Sequence, residues 1–145
     1  MKSRHLLACA ALLGLASILG CARAVHDTTG FAMVDSVTID RSLDETWDAT
    51  KAVLREHEYE IYTRDKRGVF VAYTPMRRHF RAVPHRTQFS ISLDEAAPGT
   101  TEVTIETVDQ VFGVTLLTQP DWHDRKTTDN SQSLELLAAI QAKTQ

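Results

Sequence analysis

Polar and apolar side chains alternate most regularly in two stretches near the middle of the chain. In residues 87–93 and 101–107, every second side chain is apolar or threonine, and the side chains between them are polar. Strict alternation is typical of β-strands that bury one face. Pro98 and Gly99 lie between the stretches and favour a turn. The pattern therefore predicts an antiparallel hairpin.

The clearest helix start is at Ser42. Glu45 follows three residues later, and this pair forms a capping-box signature. Apolar and small residues then recur at helical spacing: Leu43, Trp47, Ala49, Thr50, Val53 and Leu54. Because they form one stripe of a helix, we predict that Trp47 packs in the core and does not stack on a ligand.

Shorter patterns predict the remaining elements. Three further strands are expected at residues 33–39, 59–63 and 69–74. A last helix is expected from about Asp129 to Ala142. We predict that one side of this helix carries Leu134, Leu137, Ala138 and Gln141, with Ile140 and Leu136 nearby.

Three segments fit no regular element well. Residues 75–85 are predicted as a basic loop, and residues 120–124 as irregular. Residues 111–117 fit either a sixth strand broken at Gly113 or an apolar loop. The predicted order is therefore strand, helix, about four strands, helix. It indicates an α+β fold, with an antiparallel sheet of about five strands and two helices packed on one face.

The first residues have the composition of an export signal. Lys2 and Arg4 precede an uncharged run over residues 6–19. This run is shorter than the ~20 apolar residues of a spanning helix and matches the apolar core of a signal peptide. It ends in Ser17-Ile18-Leu19-Gly20-Cys21, which resembles the lipobox of bacterial lipoproteins, with Leu19 at a position that is usually small.

The lipobox resemblance implies a processed and anchored protein. Residues 1–20 would be removed as signal peptide, Cys21 would be lipidated, and residues 21–32 would form a tether to a single domain at residues 33–145. Ala22 after the cysteine favours the outer membrane, facing the periplasm. The alternative is an ordinary secretory signal cut near Ala22 or Ala24, which would release a soluble periplasmic protein.

Cysteine usage and charge agree with export. Cys9 would leave with the leader and Cys21 would carry lipid, so the mature chain would have no thiol and no disulfide. The leader holds two of the 16 basic residues and none of the 19 acidic ones, which gives the mature chain a net charge of −5. This charge argues against nucleic acid as a partner.

The domain also resembles a family of envelope proteins. The residues that carry the likeness are Val37-Thr38-Ile39, Leu43-Asp44-Glu45-Thr46-Trp47, Leu54, Ile61 and Gly68. They are similar to the start of helix-grip domains, including the BamC-type domains of outer-membrane assembly lipoproteins and small bacterial lipoproteins of the same element order. The resemblance implies a packing scaffold, and wider relatives of this shape bind hydrophobic ligands between sheet and helix.

One basic cluster is the main candidate for a binding site. Residues 76–86 combine arginines with Met76 and Phe80, and basic residues of a neighbouring turn add to them. The candidate set for anion or partner binding is Arg77, Arg78, Arg81, Arg86, Arg64 and Arg67. Arginine suits phosphate and carboxylate, so lipid headgroups, glycans and acidic protein surfaces are the candidate ligands.

The sequence contains few of the motifs that indicate an enzyme. It has no Gly-x-Ser-x-Gly elbow and no glycine-rich phosphate loop. His79 and His85 lie among arginines that repel a metal ion, and Asp121, His123 and Asp124 fit a local turn better than a metal site. We therefore expect no catalytic residues, no metal and no cofactor.

Two functions remain open. The first is a lipid-anchored interaction module of an envelope complex. The second is a ligand-binding domain for an anionic or apolar envelope molecule. An exposed apolar segment at residues 111–117 would favour the first. The same segment lining a closed pocket with Phe112 and Trp122 would favour the second.

Overall fold

The computed structural model describes residues 28–65, 68–78, 83–114 and 119–145. Its elements are β1 (Met33–Ile39), α1 (Leu43–Glu56), β2 (Glu60–Asp65), β3 (Val69–Tyr73), β4 (Arg77–Arg78), β5 (Pro84–Ala97), β6 (Thr100–Gly113), β7 (Asp121–Arg125) and α2 (Ser131–Lys143). The predicted leader, its lipobox and Cys21 lie outside the described residues.

The strands form one sheet in the order β1-β6-β5-β3-β2, with β4 added beside β5 and β7 beside β6. Every described strand pair is antiparallel. The α+β prediction is therefore confirmed. The expected strand number is wrong, since the sheet has seven strands and not about five.

The two unexpected strands lie in segments that were predicted to be irregular. In the predicted basic loop, Arg77 of β4 pairs with His85 of β5. In the segment 120–124, Trp122 of β7 pairs with Phe112 of β6. Both strands carry polar or charged residues on both faces, so neither shows the alternation of a half-buried strand.

Helix α1 begins as predicted. The Ser42 hydroxyl accepts from the Glu45 N–H at 3.4 Å, and the Ser42 N–H donates to the Glu45 carboxylate at 3.1 Å. Trp47 is 7% exposed and packs in the core, and its ring N–H donates to the Asp65 carbonyl at 3.1 Å. The capping box and the apolar stripe therefore specify where α1 begins and which side it buries.

Helix α2 buries only part of the predicted side, namely Leu137, together with the neighbouring Leu136 and Ile140. Leu134 is 50% exposed, and Ala138 and Gln141 are also exposed. The buried residues are Ser133, Leu136, Leu137 and Ile140. Because apolar side chains occur on most sides of this helix, its sequence does not single out one face.

Both helices pack on one side of the sheet around a single core. The residues of this core are Ile39, Trp47, Val53, Leu54, Phe70, Ala72, Phe89, Ile91, Leu93, Val103, Ile105, Leu136, Leu137 and Ile140. The predicted hairpin is its centre: β5 and β6 pair from Ala97 back to His85. Gly68, at φ 105°, lies so close to the Leu93 carbonyl that a Cβ would come within 2.2 Å of its oxygen.

Strand β6 has two partners along one edge. Its residues 101–107 pair with β1, and its residues 109–113 pair with β7. Thr127 lies between the two partners: its hydroxyl accepts from the Asp109 N–H at 2.9 Å and donates to the Thr107 carbonyl at 3.1 Å. Thr127 thereby keeps the β6 edge hydrogen-bonded across the gap.

Candidate functional site

Beyond the core, the helix-facing side of the sheet carries polar side chains. On this side Thr87 pairs with Asp109, and Asp109 pairs with Arg125. One step further along the strands, Arg77 pairs with His85. The strands therefore extend past the helices and bring polar groups from β4, β5, β6 and β7 to one surface.

These groups line a concave pocket of about 470 Å³, which we call the end pocket. The residues that line it are Thr74, Arg77, His85, Arg86, Thr87, Asp109, Gln110, Val111, Arg125 and, at the start of α2, Gln132. The Thr87 N–H donates to the Thr74 hydroxyl at 2.9 Å, and the Thr87 hydroxyl donates to the Asp109 carboxylate at 3.1 Å. The floor is thus held by cross-strand hydrogen bonds.

The charges around the end pocket do not neutralise one another. In the part of the chain that the structure describes, Asp109 forms no ion pair with Arg77 or Arg125. Arg77 and Arg125 are both exposed. Arg125 donates to the Asp124 carbonyl at 3.1 Å. Two guanidinium groups and one carboxylate therefore remain available around one cavity.

The opposite, open face of the sheet holds Arg86 between two aromatic rings. Its guanidinium carbon lies 3.8 Å from the Tyr73 ring centre and 4.0 Å from that of Trp122. Its Nε–H donates to the Gln110 side-chain carbonyl at 2.8 Å. Burial of the charged group lowers the pKa of Arg86 below its usual value. The stack joins β3, β5 and β7 across the open face.

Gln110 extends this network. It is 6% exposed, and its amide donates to Gln88 at 3.1 Å and to the Asp124 carboxylate at 2.9 Å. A buried amide with satisfied donors fixes the strands that carry its partners. Gln110 and Arg86 together therefore hold β7 against the sheet.

The candidate arginines do not form one surface. Arg77 lies on the helix-facing side, whereas Arg78 and Arg86 belong to the open face, as the pairing of Arg77 with His85 and of Arg78 with Pro84 shows. Arg64 pairs with Phe70 of β3, whose partner on β5 is Ile91. Ile91 lies five residues from Arg86, or about 16 Å at ~3.3 Å per residue.

Three candidates lie where the structure gives no description: Arg67, Arg81 and the predicted lipidation site Cys21. The basic cluster predicted from the sequence is thus resolved into an exposed ribbon at β4, a stacked arginine on the open face and a distant arginine on β2.

The end of the β6–β7 pair exposes apolar side chains. Phe112 is 36% exposed and Val114 is 69% exposed. The Phe112 ring meets the half-buried Trp122 ring edge to face, with centres 5.4 Å apart. We call Phe112, Val114 and Trp122 the apolar tip. Phe112 and Val114 fit the exposed alternative that the sequence left open, whereas Val111 lines the end pocket and residues 115–117 lie outside the described residues.

Asp109, Arg125, Thr74 and Thr87 were not among the candidate residues. Strand β6 continues past Thr107 and thereby places Asp109 on the same side as Ile105, but the apolar positions change face at Val108, so the sequence pattern does not reveal this. Arg125 has no sequence signal either, because its place depends on the pairing of β7.

The described residues hold neither a metal-binding group nor a helix that could cross a membrane. They contain no group of three or more histidine, cysteine or acidic side chains arranged to hold a metal ion. No helix among them combines the length and apolarity needed to cross a bilayer.

No protein-family model matches the sequence, and no curated protein matches it. Among solved structures, the fold is similar to that of the adenylate sensor from AMP-activated protein kinase, crystallised in complex with the ribofuranotide ZMP. The likeness covers 74% of this chain and 93% of that one, at 12% identity and a TM-score of 0.46. Similarity at this level carries no argument about the function of this chain.

Proposed function

We propose that this protein is a non-enzymatic, lipid-anchored module of the bacterial cell envelope that binds a protein partner through its apolar tip. The observation that carries the proposal is the exposure of Phe112 and Val114 beside the Trp122 ring. Clustered apolar side chains at a surface are typical of interaction sites. They lie on paired strands held in place by the Arg86 stack, so the surface is preformed.

The leader supports the anchoring. Cys21 precedes Thr28, the first described residue, by seven positions, which span at most about 25 Å when extended. The Thr28 hydroxyl donates to the Glu106 carboxylate on β6. Lipid on Cys21 would therefore hold the domain close to the membrane, facing the periplasm, and we propose the outer membrane from Ala22.

The arrangement of elements supports the helix-grip interpretation. One antiparallel sheet carries both helices on one side, and no helix of the described residues covers the other side, where Val108 and Gln110 of β6 are buried by other groups. This is the layout expected from the resemblance to BamC-type domains. A sheet with one open face and an exposed apolar end suits a module that docks within a larger envelope complex.

Site-specific crosslinking in cells tests the partner. A photoreactive residue at Val114 is compared with the same residue at Val34, a valine of similar exposure, 63% against 69%, on β1. We expect a defined envelope protein to be captured from Val114 and not from Val34. Capture that is equal at the two positions, or absent from both, would contradict the proposed interface.

Fractionation tests the anchor. The Cys21→Ser variant is expected to lose incorporation of labelled fatty acid and to move from the membrane to the soluble fraction. An ordinary secretory signal predicts a soluble protein before and after the substitution, so the unsubstituted chain separates the two alternatives.

A second candidate function, the binding of a small envelope molecule, is favoured by the end pocket. Asp109 and Val111 line this pocket, whereas Phe112 of the apolar tip alternates with them and does not. Arg86 and Gln110, whose side chains join the stack on the open face, also contribute to its lining.

A further inference from the structure

We propose that the end pocket binds a sugar that carries an anionic group, a phosphate or a carboxylate. The proposal stands on the pocket and does not depend on the partner of the apolar tip. A volume of about 470 Å³ is in the usual range of small-molecule sites. The residues that line it are mostly polar, which favours a hydrophilic ligand.

Arg86 also lines the pocket, but its guanidinium is stacked on Tyr73 and Trp122. The remaining positive charge of the pocket comes from two sides. Arg77 is supplied by β4 and Arg125 by β7, with β5 and β6 between them. Arg77 has no hydrogen-bond partner among the described residues, and Arg125 donates only to the Asp124 carbonyl. Guanidinium groups bind carboxylate and phosphate through charge-assisted, often paired hydrogen bonds. An anion bound between Arg77 and Arg125 would accept hydrogen bonds from both guanidinium groups.

The groups at the floor of the end pocket favour a ligand that carries hydroxyl groups in addition to its negative charge. One oxygen of the Asp109 carboxylate accepts from Thr87, and the described residues supply no donor to the other. An ionised carboxylate only accepts hydrogen bonds, so it repels a bare anion and favours a ligand that donates. The Gln132 side-chain amide, at the start of α2, both donates and accepts. A polyhydroxylated molecule with one anionic group matches this combination.

The surroundings explain why these groups are free to bind. On the covered part of the same strands, the equivalent positions are Phe89 and Ile105, both fully buried. Polar residues in the end pocket are therefore not required by the core. Their hydrogen bonds to one another, from Thr74 to Thr87 to Asp109, fix the floor before a ligand arrives.

Thermal unfolding of the full chain in detergent micelles tests the proposal, with glucose 1-phosphate, glucuronate, glucose and inorganic phosphate as probes. A ligand that binds the folded state raises the Tm in a saturable way. We expect glucose 1-phosphate, glucuronate or both to do so at a concentration at least tenfold lower than glucose or phosphate alone. The stronger of the two identifies the anionic group.

Two matched variants locate the site. Arg125→Gln is expected to weaken binding about tenfold or more, as loss of a charge-assisted hydrogen bond does. Arg41→Gln is the control, because Arg41 is also exposed and also donates to the carbonyl of the preceding residue, at 2.8 Å. The Tm of each variant without ligand shows whether it folds.

Three results would overturn the proposal: no shift with either sugar acid, an equal shift with glucose or phosphate, or equal binding by the Arg125→Gln and Arg41→Gln variants. Each is independent of crosslinking at Val114, so failure here leaves the proposed partner surface standing, and failure there leaves the end pocket standing.

Discussion

The helix-facing side of the sheet has two parts that differ in chemistry although the same strands form both. Beneath the helices, β5 presents Phe89 and Ile91, both buried. Past the core, the same face of the same strand presents Thr87 and His85, which line the end pocket. Strand β6 repeats the change, from Ile105 to Asp109. The length of the strands therefore determines how far the sheet extends. Coverage by the helices determines which of its positions belong to the core.

This difference in chemistry shows which positions of the sheet are constrained by core packing and which are not. A polar side chain under the helices would be buried at a cost, so most positions of the sheet there are apolar, with the buried Thr101 and Thr107 as exceptions on β6. Only the start of α2, at Gln132, reaches the end pocket, and the residues of its strands are free to serve binding. The two parts are thus expected to respond differently to the same substitution.

The largest expected effect comes from comparing Phe89→Ala with Thr87→Ala. Removal of the buried Phe89 ring is expected to lower the free energy of unfolding by about 3–5 kcal/mol, through lost burial and a cavity. Thr87→Ala removes one hydrogen bond to Asp109 and is expected to cost about 0.5–1.5 kcal/mol. Urea unfolding measures both, and equal losses would contradict the division of this face.

A second test removes the hydrogen bonds of Thr127 at the boundary between the helix-covered part of the sheet and the end pocket. Thr127→Val leaves the Asp109 N–H and the Thr107 carbonyl without their hydroxyl partner. Because Thr127 is 2% exposed, we expect a loss of about 1–3 kcal/mol in the free energy of unfolding.

The exposed neighbour Thr128 is the control for this substitution. Thr128→Val is expected to change the free energy of unfolding by less than about 0.5 kcal/mol. If the two variants unfold at the same urea concentration, the hydroxyl of Thr127 does not join β1 and β7 along β6.

The smallest expected effect concerns acid stability at the start of α1, in the covered part. The Ser42 hydroxyl and then the Ser42 N–H, by hydrogen bonding to the carboxylate, hold the pKa of Glu45 below its ordinary value of 4.5. A folded pKa below the unfolded one gives stability that is complete above the unfolded value and is lost as the pH falls through the folded value.

Ser42→Ala is therefore expected to raise the pKa of Glu45 and to reduce the loss of stability in acid. An NMR titration of the Glu45 carboxyl group measures the shift, with Ser36→Ala, an exposed serine on β1, as the control. A pKa that is the same in both variants would show that the capping box does not set it.

The sequence predicted elements where two local signals agree. The capping box and the apolar stripe locate α1, and alternation with Pro98-Gly99 locates the β5–β6 hairpin. The sequence did not predict elements whose position depends only on pairing with another strand. Strand β7 has charged residues on both faces, and its place depends on the Phe112–Trp122 and Asp109–Arg125 pairs. The packing side of α2 was predicted only in part, because apolar residues occur on most sides of that helix.

The candidate site was predicted only in part. Clustering in sequence drew attention to the arginines, and Arg77 does reach the end pocket. Sequence proximity did not reveal that Arg77 and Arg86 lie on opposite faces, or that Tyr73 and Trp122 enclose Arg86. Those relations come from strand register, which a single sequence does not specify beyond the hairpin.

The contacts of Asp35 bear on the order in which the chain folds. Asp35 lies on the first strand, and its carboxylate accepts from Asn130 at 2.8 Å and from Ser133 at 2.6 Å. Strand β1 therefore completes these contacts only after α2, whose Ser133 lies 98 positions later in the chain, has been synthesised. Contacts between such distant positions slow folding. The chain therefore passes most of its synthesis without a finished domain.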